Sequence, residues 1–166
     1  MFKNIKMKIY FLKFLFIVAS IFLSQKSFAQ TSNCTQPNSI NRVYKTKNSQ
    51  FEFVIFKIKN NFTGNYSVTS LSPPLNLPMD EGGQSVSFIN GCVYKKITFN
   101  NMNWMCNITP NNSLSTWRIK DIKRVGNFEG VVTFIVGYRC PSSKYITTYS
   151  YNSGAYKYVV MKFRKY

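Results

Sequence analysis

The carboxyl-terminal part of the chain concentrates side chains that can recognise sugars or anions. Between Gly137 and Phe163 lie six of the eleven tyrosines of the 166-residue chain, together with several lysines. Aromatic rings offer flat apolar faces to sugar rings, while phenol hydroxyls and ammonium groups supply hydrogen bonds and charge. This segment is therefore the first candidate for a binding surface.

The spacing of these tyrosines predicts a β-hairpin. Asn152-Ser153-Gly154 suits a three-residue loop that sets Tyr151 opposite Ala155, with Gly154 at positive φ. Side chains alternate between the faces of a strand, so this register divides the tyrosines between two rows. We expect the inward row to be Ile146, Tyr156, Tyr158 and Val160. The outer row then carries the candidate ligand-binding residues Tyr145, Tyr149, Tyr151 and Lys157. The alternative is that these rings only stabilise the sheet, by roughly 0.2–1 kcal/mol per cross-strand pair.

A basic cluster supplies a second candidate for anion contact. Its members are Arg118, Lys120, Lys123 and Arg124. The whole chain has 22 Lys and Arg against 5 Asp and Glu, a net charge of +17. Such an excess favours encounter with polyanions such as acidic polysaccharide, lipopolysaccharide or phospholipid head groups, and nucleic acid is not expected among them. The alternative is a solvated surface charge without a partner.

Side chains that could catalyse a reaction are scarce. The chain has no histidine, and its four cysteines are expected in disulfides, which removes the usual Ser-His and Cys-His nucleophiles. The five carboxylates are Glu52, Asp80, Glu81, Asp121 and Glu129. Asp80 and Glu81 are adjacent in a Pro- and Gly-rich loop typical of a solvated turn, and no Cys-x-x-Cys pair is present. We expect no enzymatic activity, no cofactor and no metal ion.

The amino-terminal segment predicts export. Residues 1–29 begin with a basic segment that contains Lys3, Lys6 and Lys8, continue through an apolar run from Phe14 to Leu23 and end in Ser27-Phe28-Ala29. This is the pattern of a secretory signal peptide cut after Ala29, and the run is half the length of about twenty residues that a membrane-spanning helix needs. The alternative is an uncleaved anchor. We expect one secreted domain over residues 30–166 without a transmembrane segment; losing the five lysines of the signal lowers its net charge to +12.

The four cysteines all lie beyond the predicted signal peptide, which indicates two disulfides formed in an oxidising compartment. Alternation places Cys106 and Cys140 in the inward rows of their strands, whereas Cys92 lies in the row opposite Val93. We therefore predict a Cys106–Cys140 bond across the core and a Cys34–Cys92 bond at the amino-terminal segment. The two other connectivities stay open.

The remaining sequence is typical of an all-β protein. Runs rich in β-branched and aromatic residues alternate with turn material such as Asn90-Gly91 and Asn100-Asn101. This pattern predicts seven to nine short strands in a disulfide-bonded antiparallel β-sandwich, with a barrel as the alternative. Residues 114–125 are ambiguous: their apolar side chains follow one side of a short helix, but a strand also fits.

A partial signature supports the sandwich. Cys92, Trp104 and Tyr138-Arg139-Cys140 place a cysteine, a tryptophan some dozen residues on, and a tyrosine two positions before a second cysteine. This arrangement resembles the immunoglobulin-like sandwich and implies that architecture. The row occupied by Cys92, however, argues against a bond between Cys92 and Cys140.

Together these features predict a secreted, non-enzymatic binding or adhesion module that recognises carbohydrate or another anionic surface. The alternative is a structural or assembly component of the cell envelope that binds a protein partner.

Overall fold

Eight antiparallel strands form the fold in a computed structural model that describes residues 34, 36–59, 62–75, 89–103, 108–141 and 144–166. The strands are β1 (Ile40–Lys47), β2 (Phe51–Lys59), β3 (Tyr66–Leu71), β4 (Val93–Phe99), β5 (Ile119–Phe128), β6 (Val131–Tyr138), β7 (Tyr145–Ser153) and β8 (Tyr156–Arg164). The described part contains no helix, and hence none that could cross a membrane. The predicted signal peptide (residues 1–29), Asp80, Glu81, Trp104 and Cys106 lie outside these residues.

The strands make two four-stranded sheets. Sheet A has the order β1-β2-β8-β7, and sheet B has the order β3-β4-β6-β5. Strand β2 shows why the sheets pack face to face: Glu52, Val54, Phe56 and Ile58 are buried, while the residues between them are only half-buried. This period of two gives the strand one inner and one outer face. The predicted antiparallel β-sandwich is confirmed.

Aromatic side chains from both sheets fill the core. The Phe56 ring of sheet A lies 5.1 Å from the Phe99 ring and 5.2 Å from the Phe134 ring of sheet B, between ring centroids. The Tyr138 and Phe163 rings make a similar contact at 5.1 Å. The inward rows that alternation predicts for β4 and β6 are confirmed, since Ile97, Phe99, Phe134 and Tyr138 all belong to this core.

Residues 119–128 form strand β5 where the sequence also allowed a short helix. The pairing of β5 with β6 shifts between Ile119 and Asp121 and again between Arg124 and Gly126. A β-bulge adds one residue to a strand, so Ile119 and Ile122 lie on the same face although they are three positions apart. Apolar residues three positions apart are also typical of one side of a helix, which explains why the sequence was ambiguous here. Val125 packs in a separate apolar cluster with Ile135.

The structure corrects both predicted disulfides. Cys92 is bonded to Cys140, so the predicted pairs Cys106–Cys140 and Cys34–Cys92 are wrong; Cys34 also forms a disulfide. Strands β4 and β6 are neighbours in sheet B, and their register pairs Val93 with Tyr138. That register brings the residues just beyond the strand ends together. Strand β6 ends at Tyr138, so the alternation that pointed Cys140 inward does not reach it, and both cysteines are exposed.

A buried carboxylate joins the two sheets. Glu52, on the inner face of β2, accepts hydrogen bonds from the backbone N–H groups of Trp117 (2.6 Å), Arg118 (2.7 Å) and Ile119 (2.9 Å). Its side chain is fully buried. Because Ile119 begins β5 in sheet B, the carboxylate of one sheet is bonded to the start of an edge strand of the other sheet.

Next to Glu52, a buried guanidinium ties strand ends together. Arg118 donates to the carbonyl oxygens of Arg139 (3.1 Å), Cys140 (2.9 Å), Arg164 (3.3 Å) and Lys165 (3.3 Å). The first two follow β6 in sheet B, and the last two lie at the end of β8 in sheet A. The Arg118 side chain therefore stabilises the fold by joining the two sheets.

Replacing Glu52 should destabilise the protein strongly. In Glu52→Gln an amide N–H₂ group faces backbone donors that have lost a charged acceptor, and we expect the free energy of unfolding to fall by about 3 kcal/mol. Urea denaturation measures the change. Glu129→Gln, which removes one acid at an exposed turn, is the matched control. Equal stability of the two variants would contradict this role for Glu52.

Peptide mapping without reduction tests the corrected disulfide. A fragment containing Cys92 should be recovered joined to one containing Cys140, and the Cys92→Ala/Cys140→Ala double variant should lose about 2–4 kcal/mol of stability. Recovery of Cys140 joined to Cys106 would show that the pairing is wrong.

Candidate functional site

The turn between β7 and β8 determines which tyrosines share a face. Its two residues are Gly154 and Ala155, since Ser153 pairs directly with Tyr156. Gly154 has a φ of +56°, and Ala155 is not among the residues with positive φ, which is the pattern of a type II′ turn. Tyr151 therefore pairs with Tyr158 rather than with Ala155, and the predicted register is wrong by three residues.

An odd shift exchanges the two faces of one strand relative to its neighbour. The inward residues of β8 are Val159, Met161 and Phe163, all part of the core. Tyr156, Tyr158 and Val160, which the sequence assigned to the inward row, lie on the outer face of sheet A. Ile146, the fourth member of that row, is 41% exposed.

The outer face of sheet A is consequently both aromatic and basic, and we call it the aromatic-basic face. Its aromatic residues are Tyr44, Phe51, Phe53, Tyr149, Tyr151, Tyr156 and Tyr158. Its basic residues are Arg42, Lys57, Lys59, Lys162 and Arg164. Within the four strands of sheet A the single acidic residue is Glu52, which points to the core. No carboxylate on these strands therefore opposes an anion on this face.

Four tyrosines of the hairpin form a continuous ring cluster. Tyr151 and Tyr158 stack with their centroids 5.1 Å apart and their planes at 9°. Tyr149 continues the stack at 6.5 Å and 25°, and Tyr156 meets Tyr158 edge to face at 6.5 Å. Stacked rings cover part of each other's faces. Tyr149 and Tyr151 are 42% and 47% exposed. Because of the stacking, much of their exposed surface consists of phenol hydroxyls and ring edges.

Aromatic rings also hold the cations of this face in place. The Nζ atom of Lys57 lies 3.8 Å from the centroid of the Tyr156 ring, and that of Lys162 lies 3.9 Å from the Phe51 centroid. Each contact is a cation–π interaction, which restrains a side chain that would otherwise be mobile in solvent. The aromatic rings thus fix the positions of these two charges.

Strand β1 extends the face at its far side. The Arg42 guanidinium lies 5.2 Å from the centroid of the Tyr44 ring. Partial burial raises the pKa of the Tyr44 phenol above its ordinary value, the nearby Tyr158 and Tyr151 raise it further, and Arg42 opposes them. Tyr44 is therefore electrostatically coupled to the hairpin stack, although five strands, β2 to β6, lie between β1 and the hairpin in the sequence.

A shallow cavity lies at one end of the face. Its volume is about 340 Å³, and it is lined by Ser49, Gln50, Phe51, Arg164 and Tyr166. Hydrogen bonds hold its walls: Asn48 Oδ1 accepts from the N–H groups of Gln50 (3.0 Å) and Phe51 (2.8 Å). The Lys165 N–H donates to the Gln50 carbonyl at 2.9 Å. An arginine beside an aromatic ring and polar groups suits an anionic end of a ligand.

Two of the candidate residues from the hairpin lie elsewhere. Tyr145 packs against the core, with its ring 5.5 Å from the Phe163 ring. Lys157 lies in the inner row of β8, with its Nζ 5.1 Å from the centroid of the buried Phe62. The structure therefore places Tyr149 and Tyr151 on the aromatic-basic face, but not Tyr145 or Lys157.

The predicted basic cluster lies in sheet B, on strand β5 and on Arg118 just before it. Arg118 is buried among backbone carbonyls, and Lys120 is exposed. Lys123 Nζ lies 4.0 Å from the Asp121 carboxylate, and Lys123 and Arg124 line a small cavity of about 170 Å³. The structure does not bring this cluster together with the hairpin tyrosines.

Sequence reasoning missed the cations that flank the tyrosines. Lys57 and Phe51 occupy one row of β2, but the other row is equally apolar, so alternation alone does not show which row is exposed. The available signal was the absence of acids from β1, β7 and β8. Among the described residues, no group of three or more His, Cys, Asp or Glu could hold a metal ion.

Comparisons with models of protein families, with curated proteins and with solved structures found no match to this chain. The aromatic-basic face has to be interpreted from its own chemistry.

Alkaline titration tests the environment of Tyr44. Its folded-state pKa lies above the ordinary value of 10.0, so above about pH 10 the unfolded chain loses this proton first and stability falls as pH rises. We expect the fall to be smaller in Tyr44→Phe, measured by urea denaturation between pH 9 and pH 11. Tyr166→Phe, at the exposed carboxyl terminus, is the control. An unchanged slope in Tyr44→Phe would contradict the prediction.

Proposed function

We propose that this protein is a secreted, non-enzymatic binding module whose aromatic-basic face binds an acidic polysaccharide. The observation that carries the proposal is the combination on one sheet face of stacked tyrosines and ring-held cations, with no acidic residue among the outward positions of its four strands.

Charge supports an anionic ligand. The chain carries +17 overall and +12 without residues 1–29, and the outer face of sheet A collects five of its basic residues. Net charge of one sign raises the local concentration of oppositely charged polymers and speeds their association. Because Lys57 and Lys162 are already held over rings, less side-chain entropy is lost when they contact carboxylates.

The shape of the face supports an extended ligand. Neighbouring strands lie about 4.8 Å apart, so four strands present a surface roughly 15 Å wide, which is enough for several sugar units. Phenol hydroxyls and ring edges of the tyrosine stack can hydrogen-bond and contact sugar rings along this surface. The cavity beside Arg164 offers a place for one terminal acidic unit.

The proposed location rests on two features. Residues 1–29 have the pattern of a signal peptide, and the Cys92–Cys140 disulfide is typical of proteins that fold in an oxidising compartment. A ligand outside the cytoplasm, such as an envelope or matrix polysaccharide, fits that location.

Binding to polygalacturonate, with neutral dextran as the uncharged comparison, tests the proposal. By isothermal titration calorimetry we expect binding to polygalacturonate alone, weakened by added salt because salt screens the charges. Lys57→Gln/Lys162→Gln should weaken binding by about tenfold, equivalent to about 1.4 kcal/mol.

The matched control removes two positive charges from sheet B, in Lys120→Gln/Lys123→Gln, and should change affinity less than twofold. Tyr151→Ala should weaken binding through loss of the stacked ring, while Tyr149 and Tyr158 stay in place. Equal losses in the two double-lysine variants would show that binding depends on net charge alone and would refute a site on sheet A.

A further inference from the structure

Each sheet of a sandwich has two edge strands whose outward backbone N–H and C=O groups can pair with another strand. In sheet A these are β1 and β7, and in sheet B they are β3 and β5. The four edges are protected to very different degrees.

Three of the edges are covered, bulged or short. Residues 111–115 run beside β1, where the Asn111 N–H donates to the Val43 carbonyl (2.8 Å) and Lys47 Nζ donates to the Ser115 carbonyl (3.0 Å). Strand β5 has two register shifts, and the Asn112 side chain bonds both the N–H and the carbonyl of Ile122. Strand β3 has only six residues. Covering, bulges and shortness all limit pairing at an edge.

The described residues give strand β7 no comparable protection. It is nine residues long, Tyr145–Ser153, with one register shift at its start. Its sequence, YITTYSYNS, contains no charged residue and no proline, in a chain that has 22 Lys and Arg. Charges and prolines are the usual means of preventing edge pairing. Strand β7 is thus the longest regular edge that the described residues leave open.

We propose that β7 pairs antiparallel with β7 of a second copy of this chain, joining the two A sheets into one eight-stranded sheet. A charged partner strand would find no complementary charge on β7. A second β7 brings only tyrosine, threonine, serine, asparagine and isoleucine side chains face to face, and cross-strand aromatic and Thr–Ser pairs are favourable. A two-fold axis makes such a contact self-complementary.

Repulsion between two cationic copies does not prevent this pairing. The nearest lysines of sheet A lie on β8, and three strand spacings would separate one β8 from the other across the junction, about 14 Å. That distance exceeds the Debye length of about 8 Å at physiological ionic strength, so the repulsion is largely screened. At low salt the Debye length exceeds this distance, so the dimer should weaken as salt is removed.

Pairing at β7 would also join the two aromatic-basic faces. Tyr149 and Tyr151 lie on β7 itself, so the tyrosine clusters of the two copies would meet at the junction. One long polymer could then contact both copies, which raises its apparent affinity without any new contact.

Ser150 allows a selective test. In a two-residue hairpin the Ser153–Tyr156 pair is hydrogen-bonded, and bonded and non-bonded pairs alternate away from the turn. The Ser150–Val159 pair is then non-bonded, and the Ser150 N–H points away from β8. A Ser150→Pro change removes this outward donor and keeps the bonds between β7 and β8.

Sedimentation equilibrium on the purified protein should show a monomer–dimer equilibrium that strengthens with salt. Ser150→Pro should raise the dimer Kd by about tenfold or more. The control Ser150→Thr, which keeps the N–H and a strand-forming residue, should associate like the parent. A parent that stays monomeric at every concentration and salt level overturns the proposal, as does a folded Ser150→Pro variant that dimerises normally.

If circular dichroism shows that Ser150→Pro is unfolded, the variant Thr147→Lys tests the pairing instead. It adds a charge on the outer face of β7, so the dimer should weaken, and most strongly at low salt. Unchanged association of that variant refutes the pairing.

The inference is independent of the proposed function. A short acidic oligosaccharide should bind the monomeric variant with unchanged affinity and lose affinity as salt rises, opposite to the dimer.

Discussion

The tight turn at Gly154-Ala155 sets the register of β7 against β8, and the exposed surface of sheet A depends on that register. With two residues in the turn, Tyr151 pairs with Tyr158 and the two rings stack. Had the loop held three residues, Tyr158 would have entered the core in place of Val159. Because side chains alternate between the two faces of a strand, a strand that shifts by an odd number of residues exchanges its inner and outer faces completely.

Two buried side chains, Glu52 and Arg118, hold the ends of the sandwich together through hydrogen bonds to the backbone. Glu52 bonds three backbone N–H groups at the start of β5, and Arg118 bonds four carbonyls at the ends of β6 and β8. Lys45 lies in the same region, where burial lowers its pKa and the carboxylates of Asp121 and Glu52 partly oppose that effect. A chain with only five acids thus uses two of them inside the fold, which leaves its outer surface strongly basic.

The proposed recognition of a ligand depends on cations and aromatic rings that share one face of sheet A. An isolated surface lysine is mobile and strongly hydrated, whereas Lys57 and Lys162 are held over aromatic rings. The rings that restrain these cations can themselves contact a sugar. Since the face spans four strands, it has room for several units of a polymer.

Much of the fold could be predicted from alternation and composition. The all-β class, the core rows of β4 and β6 and the presence of disulfides follow from local pattern, because apolar side chains two residues apart must share one face of a strand. Alternation failed where both rows of a strand are apolar, as in β8, where Tyr156 and Tyr158 compete with Val159 and Met161 for the core. It also failed in β5, where a bulge imitates helical spacing.

The sequence by itself therefore determined which residues share a face wherever a strand has no bulge, and the tertiary structure decided where the bulges lie, which face is exposed and which strands are neighbours. Lys57 and Tyr156 come together because β2 and β8 pair, and Cys92 meets Cys140 because β4 and β6 pair. These pairings join residues about fifty to a hundred positions apart. Which strands pair depends on burying the apolar faces of both sheets at the same time. No single short stretch of sequence contains that information.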